Sequence, residues 1–148
     1  MPVNAGAVGR MYGPYERYEV SRVKIREFAD AVDARATEHR SVEAATAAGF
    51  KDLVAPDTFA AVIAQRSEFH VIVDPEVGVD FSKVVHAEER FTHHRPIVAG
   101  DVIETVIHIE SVTQRAGISM VKTRAELKDA TGAPVSTVAS TLAVREDA

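Results

Sequence analysis

The chain is organised around the stretch from Leu53 to His70, LVAPDTFAAVIAQRSEFH. Pro56 cannot continue a helix backwards, and Asp57 or Thr58 can cap a first turn. The pattern predicts a helix over 57–70. From Phe59 to Ala64 no side of two helical turns is polar, so this helix is expected to be buried. It falls short of the roughly 20 apolar residues that cross a bilayer, so the rest of the chain must wrap it.

Upstream, Ile25, Phe28, Ala29 and Val32 fall at i, i+3, i+4 and i+7 after the N-cap candidate Ser21, which predicts a one-faced helix stopping near Asp33. Residues 1–14 read as an irregular lead-in, and Tyr15 to Val20 as a short strand. Residues 34–40 lack periodicity and are expected to form a polar loop. A second short helix follows Ser41 and ends at Gly49. Downstream, Pro75 and Gly78 break 71–82 into a connection with room for a short strand. Residues 83–94, 102–113, 118–128 and 135–144 are rich in Val, Ile and Thr and are separated by PIVAGD, QRAG and DATGAP. They predict four consecutive strands in an antiparallel meander. The expected architecture is α+β: an antiparallel sheet of about five strands wrapped around one central helix, the hot-dog arrangement. Its open edges favour pairing of two copies, or of two related chains.

Composition narrows the function. The 148 residues suit one domain, and a net charge of -5 without a clustered basic stripe argues against nucleic acid. There is no cysteine, which removes disulfides and thiolate metal sites. The opening MPVNAGAVGRMYGP resembles neither a signal peptide nor an anchor, so a cytoplasmic protein with no membrane partner is expected.

Several blocks, VSRVKIREFADAV, AATAAGF followed by LVAPDTF, RFTHHRPIVAGDVI and STVASTLAVRE, stand in an order and spacing that resembles the MaoC-like hot-dog dehydratases and hydratases. The likeness is greatest to the N-terminal dehydratase-domain branch, which includes subunits of actinobacterial (3R)-hydroxyacyl thioester dehydratases. The resemblance implies dehydration of a (3R)-3-hydroxyacyl group on acyl carrier protein or coenzyme A, or hydration of a trans-2-enoyl thioester, without a cofactor. Such chemistry needs a base, an acid and a polarised carbonyl.

In active relatives an Asp and a His sit in a segment Asp-x-Asn-Pro-x-His after the first helix. His39, ten residues before Gly49, resembles the His, and Asp33 the Asp. Here five residues separate them instead of four, and the Asn and Pro positions hold residues such as Arg35 and Ala36. The thioester carbonyl is bound in relatives by an amide at the start of the central helix. The matching residues are Asp57 and Thr58, after a Pro56 that has no N–H. Phe59, Val62 and Ile63 are expected beside the acyl chain.

Three functional classes follow: a working dehydratase or hydratase using His39 and Asp33; an acyl-binding subunit whose partner brings the Asp and His; and a thioesterase using Asp57 or Glu68 on water. His86 and His94 share one face of a regular strand and His93 the other, so no metal site is expected there. Asp101 reads as a turn residue and Arg95-Pro96 as a strand end.

Overall fold

The structure, a computed structural model, describes residues 2–146. Of the lead-in, only Met1 lies outside them. Two short strands, β1 (Met11–Tyr12) and β2 (Tyr18–Glu19), precede helix α1 (Arg22–Ala31). Ser21 caps α1 by accepting from the Lys24 amide, and Ile25 and Ala29 form its buried face. Helix α2 (Val42–Ala47) is capped in the same way by Ser41. The polar loop between them contains one 3-10 turn, Thr37–His39.

The central helix begins as a 3-10 turn, Asp57–Phe59, and continues as α3 (Ala60–Val73), three residues beyond the expected end at His70. Residues 74–82 form no strand. Nor is the helix buried all round: Ala60, Ile63, Ala64, Ser67, Glu68, Val71 and Ile72 face the protein, while Gln65, Arg66, Phe69 and Val73 face solvent. An all-apolar start fixes burial only for its own two turns; the later residues divide into an inner and an outer face.

Four long strands follow: β3 (Val84–His93), β4 (Val102–Arg115), β5 (Ile118–Lys128) and β6 (Pro134–Arg145). The six-stranded sheet has the order β1-β4-β5-β6-β3, with β2 also on β4. The expected four-strand meander is therefore corrected. Only β4, β5 and β6 are sequential neighbours; β3 crosses the sheet to pair with β6. The cause is the PIVAGD link, which is no hairpin turn. It docks on the lead-in to the central helix, where the Ala55 amide donates to Ile97 O (2.8 Å) and the Ala99 amide to Leu53 O (2.9 Å). Val54 bridges Val98 between them.

The core lies between α3 and the sheet. Ile103, Ile107 and Ile109 of β4, Val121 and Leu127 of β5, and Val138 and Leu142 of β6 are all buried. Phe59 is fully buried and meets Phe28 and Tyr18 edge-on at 5.4 and 6.3 Å, tying α1 and β2 to the start of the central helix. Burying such a ring contributes about 1.5–3 kcal/mol. Strand β3 ends the strand order and is mostly exposed along its length.

A candidate active-site pocket at the start of the central helix

Helix α1 ends at Val32, whose amide closes on Phe28 O and Asp30 O, and Asp33 then adopts a left-handed conformation (φ 54°). Asp is among the few non-glycine types that tolerate it. The turn carries the Asp33 side chain outward, 72% exposed and paired with Arg35 at 3.0 Å. The 3-10 turn that follows turns His39 inward.

The Val54 amide donates to Glu38 O (2.9 Å), and His39 Nδ1 lies 2.7 Å from Val54 O. A carbonyl oxygen only accepts, so Nδ1 carries the hydrogen. In the neutral ring Nε2 is then the acceptor. His39 is half-buried at a pocket of about 490 Å³, whose lining includes Glu38, Phe50, Asp57, His94 and Ile97.

The pocket's far wall is locked by Arg95. Its guanidinium holds Asp101 at 2.8 and 3.1 Å and reaches Asp129 at 3.4 Å, while Asp101 Oδ2 also accepts from the Val98 amide (2.9 Å). The hydrogen bonds that Arg95 donates to Asp101 raise the Arg95 pKa further. Asp101 is thus more than a turn residue, and Arg95-Pro96 lies past the end of β3, in the pocket wall.

The structure brings His39 and Asp57 to one pocket and leaves Asp33 outside its lining. Of the other expected binding residues, Thr58 is exposed, Phe59 and Ile63 are buried in the core, and Val62 is half-buried; none lines this pocket. Pro56 stands at the N-cap of the first turn, which has no side-chain cap. Glu68 lies elsewhere, 2% exposed, with both oxygens engaged by His86 and Thr123.

The expected facing of the histidines also changes. Strand β3 ends at His93, so His94 is not part of its alternation, and a bulge between His86 and Glu88 breaks the register. His93 stacks on Phe91 (5.8 Å between centroids) and meets Ser136 Oγ at 2.9 Å. His86 instead turns under α3 to Glu68 and Glu89, a grouping that sequence spacing concealed. A bulge leaves no mark on apolar alternation in so polar a strand.

Comparison with known proteins places the chain. Residues 6–138 match the family described as FAS1-like, dehydratase domain region. A UPF0336 protein of Saccharopolyspora erythraea is 46% identical over 145 residues, covering 98% of this chain and 93% of that one. Among solved structures, the HadBC (3R-hydroxyacyl-ACP dehydratase) complex of Mycobacterium tuberculosis contains a chain with 31% identity and a TM-score of 0.84, with 93% and 96% of the two chains covered. A MaoC-like dehydratase superposes with a TM-score of 0.87 at 31% identity, over 95% of this chain and 42% of that one. The chain belongs to the MaoC-like hot-dog dehydratase/hydratase family, in its FAS1-like dehydratase-domain region.

Proposed function

We propose that this chain is the acyl-binding subunit of a two-chain dehydratase acting on (3R)-3-hydroxyacyl thioesters of acyl carrier protein or coenzyme A. The observation that carries this reading is the separation of the expected acid and base. His39 sits at the pocket, but Asp33 is turned to solvent against Arg35. A dehydratase must both remove the α-proton and protonate the departing hydroxyl, and one histidine without its carboxylate partner lacks half of that pair. The resemblance to the HadBC complex, whose name states a (3R)-hydroxyacyl-ACP dehydratase, supports the choice of substrate and of a second hot-dog chain. In this reading the Asp57 and Thr58 amides, at the positive end of the central helix, receive the thioester carbonyl.

One observation favours a stand-alone hydro-lyase as the second reading. Neutral His39, fixed through Nδ1, offers Nε2 as a base at a pocket that also contains Asp57. The thioesterase alternative loses Glu68, which is enclosed and fully bonded, and would rest on Asp57 alone.

Hydration of crotonyl-CoA and of a longer trans-2-enoyl-CoA by the isolated chain separates these readings, with His39→Ala and Asp33→Asn beside it. The subunit reading expects no turnover by any of the three. Turnover by wild type that collapses in folded His39→Ala establishes the stand-alone enzyme instead, and release of free thiol from acyl-CoA establishes the thioesterase.

A further inference from the structure

Away from the pocket, three side chains meet beneath the second half of α3. The Glu68 side chain is 3% exposed; its Oε1 lies 2.7 Å from His86 Nε2, and its Oε2 accepts from the Thr123 hydroxyl at 3.0 Å. Glu89 Oε1 accepts from the Ser140 hydroxyl at 2.8 Å and lies 3.8 Å from the same His86 Nε2. One oxygen or nitrogen from each of the three lies within 4.8 Å of the other two.

This grouping depends on a break in β3. Residues 86 and 89 are three apart, so in a regular strand their side chains would point to opposite faces. A bulge at Ala87 changes the parity. His86 is opposite Leu142 and Glu89 is opposite Ser140, two residues on the buried face of β6. The strand gives up a ladder position, and both side chains come to lie under Glu68.

The grouping is also rich in negative charge. Two carboxylates face one imidazole. Glu89 Oε2 is enclosed and has no hydrogen-bond partner among the described residues. An enclosed acceptor left so is unfavourable. Burial, with Glu68 nearby, pushes the Glu89 carboxyl above its usual range. The neighbouring Arg90 guanidinium turns away to Glu88 at 2.8 Å.

We propose that Glu68, His86 and Glu89 form a binding site for a divalent transition cation of the zinc type, with water completing its coordination. One imidazole nitrogen and two carboxylate oxygens suit zinc better than magnesium or calcium, which prefer oxygen alone. Bonds of about 2.0–2.2 Å to a tetrahedral ion set ligand atoms about 3.3–3.6 Å apart. The 2.7 and 3.8 Å separations bracket that spacing, so small side-chain shifts admit the ion. Thr123 and Ser140 already orient the two carboxylates from behind. His86, 38% exposed, leaves the opening through which ion and water reach the site. In the bound state the His86 ring is the neutral tautomer with its hydrogen on Nδ1, and the ion takes the place of the Nε2 hydrogen between the ring and Glu68.

The test is titration of the EDTA-treated full chain with zinc, followed by calorimetry and by thermal unfolding, with cobalt as a spectroscopic probe. The expected result is one zinc per chain with a raised unfolding temperature. Glu89→Gln and His86→Asn should each weaken binding at least tenfold, and Thr123→Val about tenfold or more. Cobalt should give a tetrahedral ligand-field spectrum that His86→Asn abolishes. Absence of stoichiometric zinc uptake by wild type overturns the proposal. So does full affinity in folded Glu89→Gln and His86→Asn, which would place the ion elsewhere, for instance at the pocket with His39, His93 and His94. If either variant fails to fold, His39→Ala and His93→Ala decide instead: undiminished zinc uptake by both supports the site under α3, and its loss in either overturns it.

Discussion

Two histidines in this protein are held by contrasting partners. His39 gives its Nδ1 hydrogen to a backbone carbonyl and keeps Nε2 at an open pocket, whereas His86 has Nε2 against Glu68 with Glu89 close behind. The carbonyl fixes a tautomer and adds no charge; the carboxylates add charge that something must balance. His39 therefore keeps one ring nitrogen at the pocket, and His86 sits within a network that extends through Thr123 and Ser140. The reacting site expected from the sequence has the looser construction of the two, because its second member, Asp33, stays in solvent.

The largest expected effect disturbs the core at the start of the central helix and leaves the other region alone. Phe59→Ala removes the ring that joins α1 and β2 to the central helix and should cost about 3–5 kcal/mol in urea unfolding. Next comes Glu68→Ala, which strands the Thr123 hydroxyl and one face of His86 and should cost about 1–3 kcal/mol. Adding Thr123→Val should recover part of that loss; simple additivity of the two would show that their hydrogen bond contributes nothing.

The carboxyls also differ in the sign of their pH response. Glu89 is held above its usual range by burial, so the unfolded chain ionises it first. Stability should therefore fall as pH rises from about 4.3, the unfolded value, through the raised folded one. Glu89→Gln should gain on wild type in urea midpoint between pH 4 and 7 in metal-free protein; a constant difference would contradict this sign. Asp74 runs the other way, lowered by the hydrogen bond from Tyr12, whose own pKa is pushed up to about 12 by burial and Asp74. Its contribution is present above about pH 3.9 and lost as pH falls through the lowered folded value. Tyr12→Phe should flatten that acid loss. The smallest effect is expected at Asp33→Asn, within about 0.5 kcal/mol of wild type, since the side chain is 72% exposed and paired with an exposed Arg35.

Local signals made much of this fold legible. Ser21 and Ser41 were readable as caps, Pro56-Asp57 as a helix start, and the Val, Ile and Thr-rich stretches as strands, because each depends on residues a few positions apart. The β3–β6 pairing was not legible, since alternation in a strand does not name its neighbour and PIVAGD has the composition of an ordinary turn. Block spacing led to His39, but the outward turn of Asp33 follows from a left-handed backbone that its sequence neighbours do not announce. The Glu68, His86 and Glu89 grouping stayed hidden for a related reason: strand parity separates 86 from 89, and only the bulge reunites them.

The most direct measurement is the rate of trans-2-enoyl-CoA hydration as a hot-dog subunit with an intact Asp-x-Asn-Pro-x-His segment is titrated into this chain. The expected result is no turnover by this chain alone, activity that saturates at one partner per chain, and little change with His39→Ala. Turnover by this chain alone, abolished in a folded His39→Ala variant and unaffected by the partner, would contradict the assignment as an acyl-binding subunit.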